Sequence, residues 1–127
     1  MLLKNKLSNR GIYEACRRII VIGDIHGDIK KFISILKAAG VIEKKNSNVC
    51  LSEKEYDCDS WNWVGGDTRV VQVGDIFDGG GRTNQFDDHE LETYNFLIKL
   101  KKKAQNDPLG GDVILIVGNH EIMNFNG

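Results

Sequence analysis

The sequence has few cysteines, nearly balanced charge and no long apolar run, and each of these absences excludes a class of protein. Three of the 127 residues are cysteines, Cys16, Cys50 and Cys58. An odd number without Cys-x-x-Cys spacing indicates neither a disulfide framework nor a zinc ribbon, so we expect reduced thiols. Lysine plus arginine number 17 against 18 for aspartate plus glutamate, a net charge of −1. A nucleic acid or an anionic membrane would therefore need a local basic patch to bind.

The apolar residues occur in short runs. The run at the start, residues 1–3, is too short for the core of a signal peptide, and no later segment approaches the length of a membrane span. Hydrophobic residues make up 41% and charged residues 28% of the chain, as in an ordinary globular protein. We therefore predict a cytoplasmic protein of one domain, with a loose lead-in over residues 1–17 and the domain over residues 18–127.

Three of the short apolar runs predict buried strands, at residues 18–23, 69–74 and 112–118. The first and second runs are followed by stretches that predict helices. In the first stretch apolar residues recur at the i, i+3, i+4 and i+7 spacing of one helical face. Asp28 is a suitable N-cap for this helix, and Gly40 a suitable stop. The four apolar residues of that face are Ile29, Phe32, Ile33 and Leu36.

The second predicted helix covers "DDHELETYNFLIKLKKKAQ", with acidic residues in its first turn and lysines in its last, as the helix macrodipole favours. We predict that the Lys101–Lys103 run is a solvated helix end and not a nucleic-acid site. His89 lies in the first turn without a companion ligand, so we assign it to the surface. The predicted inner face consists of Leu91, Tyr94, Leu97 and Ile98.

The stretch between the first helix and the second strand, residues 41–67, is polar and has no clear periodicity. We interpret it as an excursion, with a hairpin as the expected form, that returns to the edge of the sheet. Trp61 and Trp63 near its end have two interpretations, a binding platform or anchors that fix the loop to the body. We favour the anchors, because large aromatic side chains contribute most through burial.

The order strand, helix, strand, helix, strand predicts an α/β fold with a parallel sheet and right-handed crossovers. Ligands of such sheets bind beyond the carboxyl ends of the strands. Each predicted strand here ends in glycine followed by a polar residue, at Asp24, Asp75 and Asn119. The six polar side chains expected at this edge are Asp24, His26, Asp75, Asp78, Asn119 and His120.

These side chains predict a metal site. A single aspartate after a strand is commonly a turn former and a single histidine is commonly structural, but three such strand ends on one edge need another explanation. Carboxylates brought to one spot repel unless a cation lies between them. A mixture of carboxylate, imidazole and amide ligands suits manganese, iron or zinc better than calcium.

Three motifs in this order, "GDIHGD", "GDIFDGG" and "GNHE", resemble the front motifs GDxHG, GDxxDRG and GNHE of the calcineurin-like metallophosphoesterases. More locally, "WVGGDTRVVQVGD" and "GNHEIMNFNG" resemble the Shewanella-like protein phosphatase branch. The resemblance extends over residues 18–127. It implies a βαβαβ unit that forms the front half of the αββα sandwich of that family.

The resemblance also implies a function: hydrolysis of phosphomonoesters by a serine/threonine-phosphatase-like enzyme, with a metal-bound hydroxide in a site of two divalent ions (Mn, Fe or Zn). Asp24 and His26 would hold the first ion, Asp75 would bridge both, and Asn119 would bind the second ion and the phosphate. His120 would be the general acid. The substrate would be a phosphoprotein or a small phosphoester.

The general acid has an implied partner, Asp78, which would orient the imidazole of His120. The arginine that follows this aspartate in the family and clamps phosphate is replaced here by Gly79. Arg82, three residues further on, has two interpretations, a substitute for that clamp or an ordinary surface residue.

The family completes its metal site with histidines from the back half of the domain, and this sequence has none after His120. We therefore expect the front half of a longer enzyme or a truncated gene product, with one apolar face of the sheet uncovered. The alternative function is a non-catalytic remnant that binds metal or phosphate or docks onto a partner. A dinucleotide-binding protein is disfavoured, because no GxGxxG opens the first helix.

Overall fold

The part of the chain that the structure describes forms a small parallel sheet with two helices and a separate hairpin. A computed structural model describes residues 11–45, 56–76 and 90–116, and the structural statements below concern these residues. Its elements in chain order are β1 Ile19–Ile22, α1 Ile29–Ala38, β2 Ile42–Lys44, a 3-10 turn Cys58–Ser60, β3 Trp61–Trp63, β4 Arg69–Gln72, α2 Glu90–Asn106 and β5 Asp112–Leu115.

The main sheet has the strand order β1-β4-β5, and both pairs of neighbours are parallel. Ile20 is opposite Val70, which is opposite Val113 in turn. The predicted α/β fold with a parallel sheet is therefore confirmed. The strands β1 and β4 end before the glycines Gly23 and Gly74, earlier than the apolar runs predict, because the chain turns away from the ladder there.

Helix α1 has the termini and the buried face that its sequence predicts. The carboxylate of Asp28 accepts a hydrogen bond from the backbone N–H of Lys31 at 3.0 Å, as an N-cap does. At the other end Gly40 has a φ of +70°, and the N–H of Val41 donates to the carbonyl of Leu36 at 3.2 Å. This is the Schellman arrangement that glycine favours. The buried residues are Ile29, Phe32, Ile33 and Leu36.

Helix α2 turns a different face to the core from the predicted one. Leu91 is 69% and Tyr94 40% exposed, so the prediction was wrong at these two residues. The ring of Phe96 packs edge-on against that of Phe32 on α1, with the centroids 6.1 Å apart, so the buried face of α2 contacts α1. The buried residues are Thr93, Phe96, Leu97, Leu100 and Ala104.

The predicted hairpin exists, but it does not join the main sheet. Strands β2 and β3 pair antiparallel in a sheet of their own, with Ile42 opposite Trp63. Trp61 and Trp63 are 3% and 9% exposed, which confirms that they anchor this segment. The indole N–H of Trp63 donates to the carbonyl of Gly66 at 3.1 Å, so its polar group is satisfied.

The lysines near the end of α2 are more than a solvated helix end, and that prediction is corrected. The Nζ of Lys101 lies 2.9 Å from a carboxylate oxygen of Asp112 on β5. The Nζ of Lys103 donates to the carbonyls of Cys58 and Trp61 at 2.7 and 2.6 Å. Their ammonium groups therefore connect α2 to the sheet and to the hairpin.

The two cysteines of the described residues, Cys16 and Cys58, are free. Burial raises the pKa of the Cys58 thiol to about 11, so this thiol is protonated and unreactive at neutral pH. It behaves as a small apolar side chain of the core. Cys50 and His89 lie outside the described residues.

The core lies on one face of the main sheet. Ile22, Val70 and Val113 are buried there with side chains of both helices. Alternate residues of β1 point to the other face, where Ile19 and Val21 are 61% and 64% exposed. The apolar character of this face is typical of a parallel sheet, whose faces are normally both covered. Of the helices in the described ranges, neither is long and apolar enough to cross a membrane.

Candidate metal centre

The turns after β1 and β4 lie side by side, because these two strands are parallel neighbours in the sheet. The backbone N–H groups of Ile25 and His26 both donate to the carbonyl of Asp75, at 3.0 and 2.9 Å. One residue further on, Gly27 donates to the carbonyl of Ile76 at 2.6 Å. Three main-chain hydrogen bonds therefore join the first motif to the second.

Two residues of these turns have strained backbones. Among residues 11–45, 56–76 and 90–116, His26 and Asp75 are the non-glycine residues with positive φ, at 49° and 55°. Each such conformation costs roughly 1–3 kcal/mol and persists only where the surroundings impose it. Both residues take part in the hydrogen bonds that join the two turns, His26 through its N–H and Asp75 through its carbonyl. Strain of this kind clusters at functional sites, and here both instances fall on predicted metal ligands.

Three predicted ligands come together at this edge of the sheet. Asp24, His26 and Asp75 each offer one donor atom, and the three atoms lie within 4.8 Å of one another. The Nε2 of His26 is 3.4 Å from the Oδ2 of Asp24. Donors around one ion, with bonds of about 2.0–2.2 Å, are separated by at most about 4.4 Å. Small side-chain movements would therefore bring these atoms around a common ion.

The three donors differ in exposure. Asp75 is buried, with 9% of its surface exposed. The side chain of Asp24 is 57% exposed and that of His26 is 17% exposed. Asp75 thus forms the floor of the group, and Asp24 faces solvent. A buried carboxylate close to a second carboxylate is unfavourable by itself, because both charges lose hydration and repel. A divalent cation would relieve that repulsion, so the donor set fits a metal ion.

The other four predicted site residues, Asp78, Arg82, Asn119 and His120, lie outside the described residues. Their roles stay predictions. Strand β5, which precedes Asn119 in the chain, is the neighbour of β4, so the third motif follows a strand of the same sheet.

The sequence analysis missed one polar residue beside the site. Gln72 is the last residue of β4 and is fully buried. Its side-chain amide contacts both the Gly23 carbonyl and the backbone of Gly74, the residues that precede Asp24 and Asp75. The available signal was an amide within the otherwise apolar run "VVQV".

Comparison with known proteins identifies the family of the chain. Residues 17–127 match the family model of the calcineurin-like phosphoesterases. The chain belongs to this family. Membership implies the use of divalent metal ions, and the Asp24, His26 and Asp75 donors agree with it.

Members of the Shewanella-like branch are among the relatives of this calcineurin-like phosphoesterase. It is 38% identical to Shewanella-like protein phosphatase 2 of Arabidopsis thaliana over 115 residues, which are 91% of this chain and 23% of the relative. It is 37% identical to Shewanella-like protein phosphatase 1 of Plasmodium berghei (strain Anka), over 87% of this chain and 24% of the relative. The predicted resemblance to this branch is confirmed.

A third relative is an uncharacterised protein of Schizosaccharomyces pombe, 34% identical over 86% of this chain and 26% of the relative. The chain thus spans about a quarter of the length of the curated relatives it matches (23% to 26%). No solved structure matches.

Proposed function

We propose that this chain carries the first part of the active site of a metal-dependent phosphatase that hydrolyses phosphomonoesters. The observation that supports the proposal is the convergence of Asp24, His26 and Asp75, whose donor atoms lie within 4.8 Å of one another. Membership of the calcineurin-like phosphoesterases supports the same reaction class. The names of the Arabidopsis and Plasmodium relatives favour a phosphoprotein as substrate over a small phosphoester.

We propose that two divalent ions (Mn, Fe or Zn) bind here, with Asp24 and His26 on the first, Asp75 between the two and Asn119 on the second. Such ions supply positive charge for the phosphate oxygens and lower the pKa of bound water. The buried Asp75, whose carboxylate has two oxygens, would serve as a ligand of both ions.

In this proposal side chains of the protein transfer the proton. His120 donates a proton to the leaving oxygen, and Asp78 orients its imidazole and keeps it protonated. Arg82 would serve as the phosphate clamp that Gly79 does not supply. The division into a lead-in over 1–17 and a domain over 18–127, and the cytoplasmic location, also stay predictions.

The test of the function is hydrolysis of an aryl phosphate by the full-length protein with Mn²⁺. We expect Asp75→Asn to lower kcat/KM by at least about a hundredfold. The substitution changes a metal ligand itself, and loss of a residue that only orients a ligand already costs about ten- to a hundredfold. Asp59→Asn is the matched control, since it removes the same charge from an exposed residue of the 3-10 turn. An Asp75→Asn variant as active as the control would refute the proposed site.

The alternative function, a non-catalytic remnant, would rest on the same convergence of Asp24, His26 and Asp75. In this alternative the 127-residue chain binds metal through Asp24, His26 and Asp75 but does not turn over phosphoesters. Two results together would favour the remnant over the enzyme. Calorimetry would show Mn²⁺ binding that Asp75→Asn abolishes, and the wild type would not hydrolyse the aryl phosphate.

A further inference from the structure

We propose that Gln72 is a positioning residue that sets the separation of Asp24 and Asp75. Its buried amide joins the two turns that carry these carboxylates. The inference rests on the proposed function, in which both carboxylates are metal ligands. It assigns to one buried side chain the alignment of two motifs that lie about fifty residues apart in the sequence.

The orientation of the amide follows from its partners. The backbone N–H of Gly74 is a donor and lies 2.9 Å from Oε1 of Gln72, so this atom must be the oxygen. The amide nitrogen then faces two acceptors, the carbonyl of Gly23 at 3.2 Å and the carbonyl of Gly74. The side chain is fully buried, so solvent does not compete for these contacts.

The amide continues the link between β1 and β4 where the regular ladder stops. The N–H of Val73 donates to the carbonyl of Ile22 at 3.0 Å, the last ladder bond between these strands. Beyond it, the side-chain amide of Gln72 donates to the Gly23 carbonyl. Further along, the N–H groups of Ile25 and His26 donate to the Asp75 carbonyl. Gln72 thus occupies the gap between the sheet and the strained turns.

The main chain of the same residue reaches the third strand. The carbonyl of Gln72 accepts a hydrogen bond from the N–H of Ile116, just after β5, at 2.9 Å. One residue therefore contacts the ends of β1 and β5 from its place at the end of β4. Gln72 therefore links the ends of all three strands of the main sheet, next to the glycines that precede Asp24 and Asp75.

A purely structural role is the competing explanation, and the two differ in what they predict. Removal of a buried amide leaves Gly23 and Gly74 without these partners and lowers stability in either case. Only a positioning role also lowers metal affinity in molecules that remain folded, because the ligand carboxylates then lose their alignment. Groups that orient metal ligands typically change affinity by about ten- to a hundredfold.

The experiment uses the full-length protein with Gln72→Leu, which keeps the approximate volume, and Gln72→Asn, whose amide is one methylene too short to hold both turns. Val70→Ala is the control, because Val70 is fully buried on the same face of β4 and makes no polar contact with the turns. Mn²⁺ affinity is measured by calorimetry and the bound ion by electron paramagnetic resonance, at a temperature where circular dichroism shows each variant folded.

We expect both Gln72 variants to bind Mn²⁺ about ten- to a hundredfold more weakly, with a changed spectrum, and Val70→Ala to bind within about twofold of wild type. Wild-type affinity in a folded Gln72 variant, or an equal loss in Val70→Ala, overturns the positioning role. If Gln72→Leu does not fold, Gln72→Asn alone decides the question. Absence of Mn²⁺ binding in the wild type would instead overturn the proposed function, so the two failures are distinct.

Discussion

Gly23 and Gly74 occupy the same position in their motifs, directly before Asp24 and Asp75, but their backbones differ. Gly74 has a φ of +98°, whereas Gly23 is not among the glycines with positive φ. A Cβ added at Gly23 would meet nothing within 4 Å. At the scale of single residues, therefore, Gly74 is required by its backbone conformation and Gly23 is not.

This difference predicts unequal effects of the same substitution. We expect Gly74→Ala to lower the free energy of unfolding by about 1–3 kcal/mol, because alanine is strained at this φ. Gly23→Ala should change it by less than about 0.5 kcal/mol. Urea unfolding without metal measures both values. Equal losses in the two variants would contradict the backbone assignment.

At the scale of elements, the 3-10 turn is held against α2 by charge as well as by burial. The carboxylate of Asp57 accepts a hydrogen bond from the N–H of Asp59 at 3.0 Å and lies 3.2 Å from Nζ of Lys99 on α2. The backbone hydrogen bond is the main cause that lowers the pKa of Asp57 below its ordinary 3.8, and the Lys99 ammonium adds to it.

The lowered pKa predicts a pH-dependent contribution to stability. A carboxyl group with a lower pKa in the folded state stabilises the fold above its unfolded pKa and loses this effect as the pH falls through its folded pKa. We expect Asp57→Ala to cost about 0.5–1 kcal/mol at pH 7, a small value because the group is partly exposed, and less near pH 2.5. Urea unfolding at both pH values is the measurement, and an unchanged difference would exclude the ionised cap.

At the scale of the whole molecule, the two faces of the main sheet are unequal. The face of Val70 and Val113 is buried beneath the helices, whereas Ile19, Val21 and Ile116 on or beside the strands are 49% to 64% exposed. Exposed apolar side chains on one face promote association with other apolar surfaces.

We expect Val21→Lys to change the unfolding free energy of the 127-residue chain by less than about 0.5 kcal/mol and to reduce its self-association. Val70→Lys, on the buried face, should unfold the chain, because it buries an unpaired charge. Light scattering after size exclusion and urea unfolding test the pair. Loss of the fold in Val21→Lys would mean that this face is covered in the chain.

Much of this architecture is encoded in signals between residues close together in the chain. The apolar runs predict the three parallel strands, and Asp28, Gly40 and the spacing of the apolar residues between them predict α1 with its caps. These signals act within a few residues, so no knowledge of packing is needed to interpret them. The same applies to Asp24, His26 and Asp75, since the order of strands already directs them to one edge.

Other features depend on contacts between distant residues. Apolar spacing cannot say which side of α2 faces inward when Leu91 and Leu100 are both available. In the structure the face of Leu100 is buried, and Phe96 on that face packs against the Phe32 ring of α1. Asp75 has its strained φ where its carbonyl accepts hydrogen bonds from Ile25 and His26, and the amide of Gln72 has its partner at Gly23, 49 residues away. Side-chain periodicity describes one element at a time, whereas helix rotation, backbone strain and buried hydrogen bonds depend on how two elements meet.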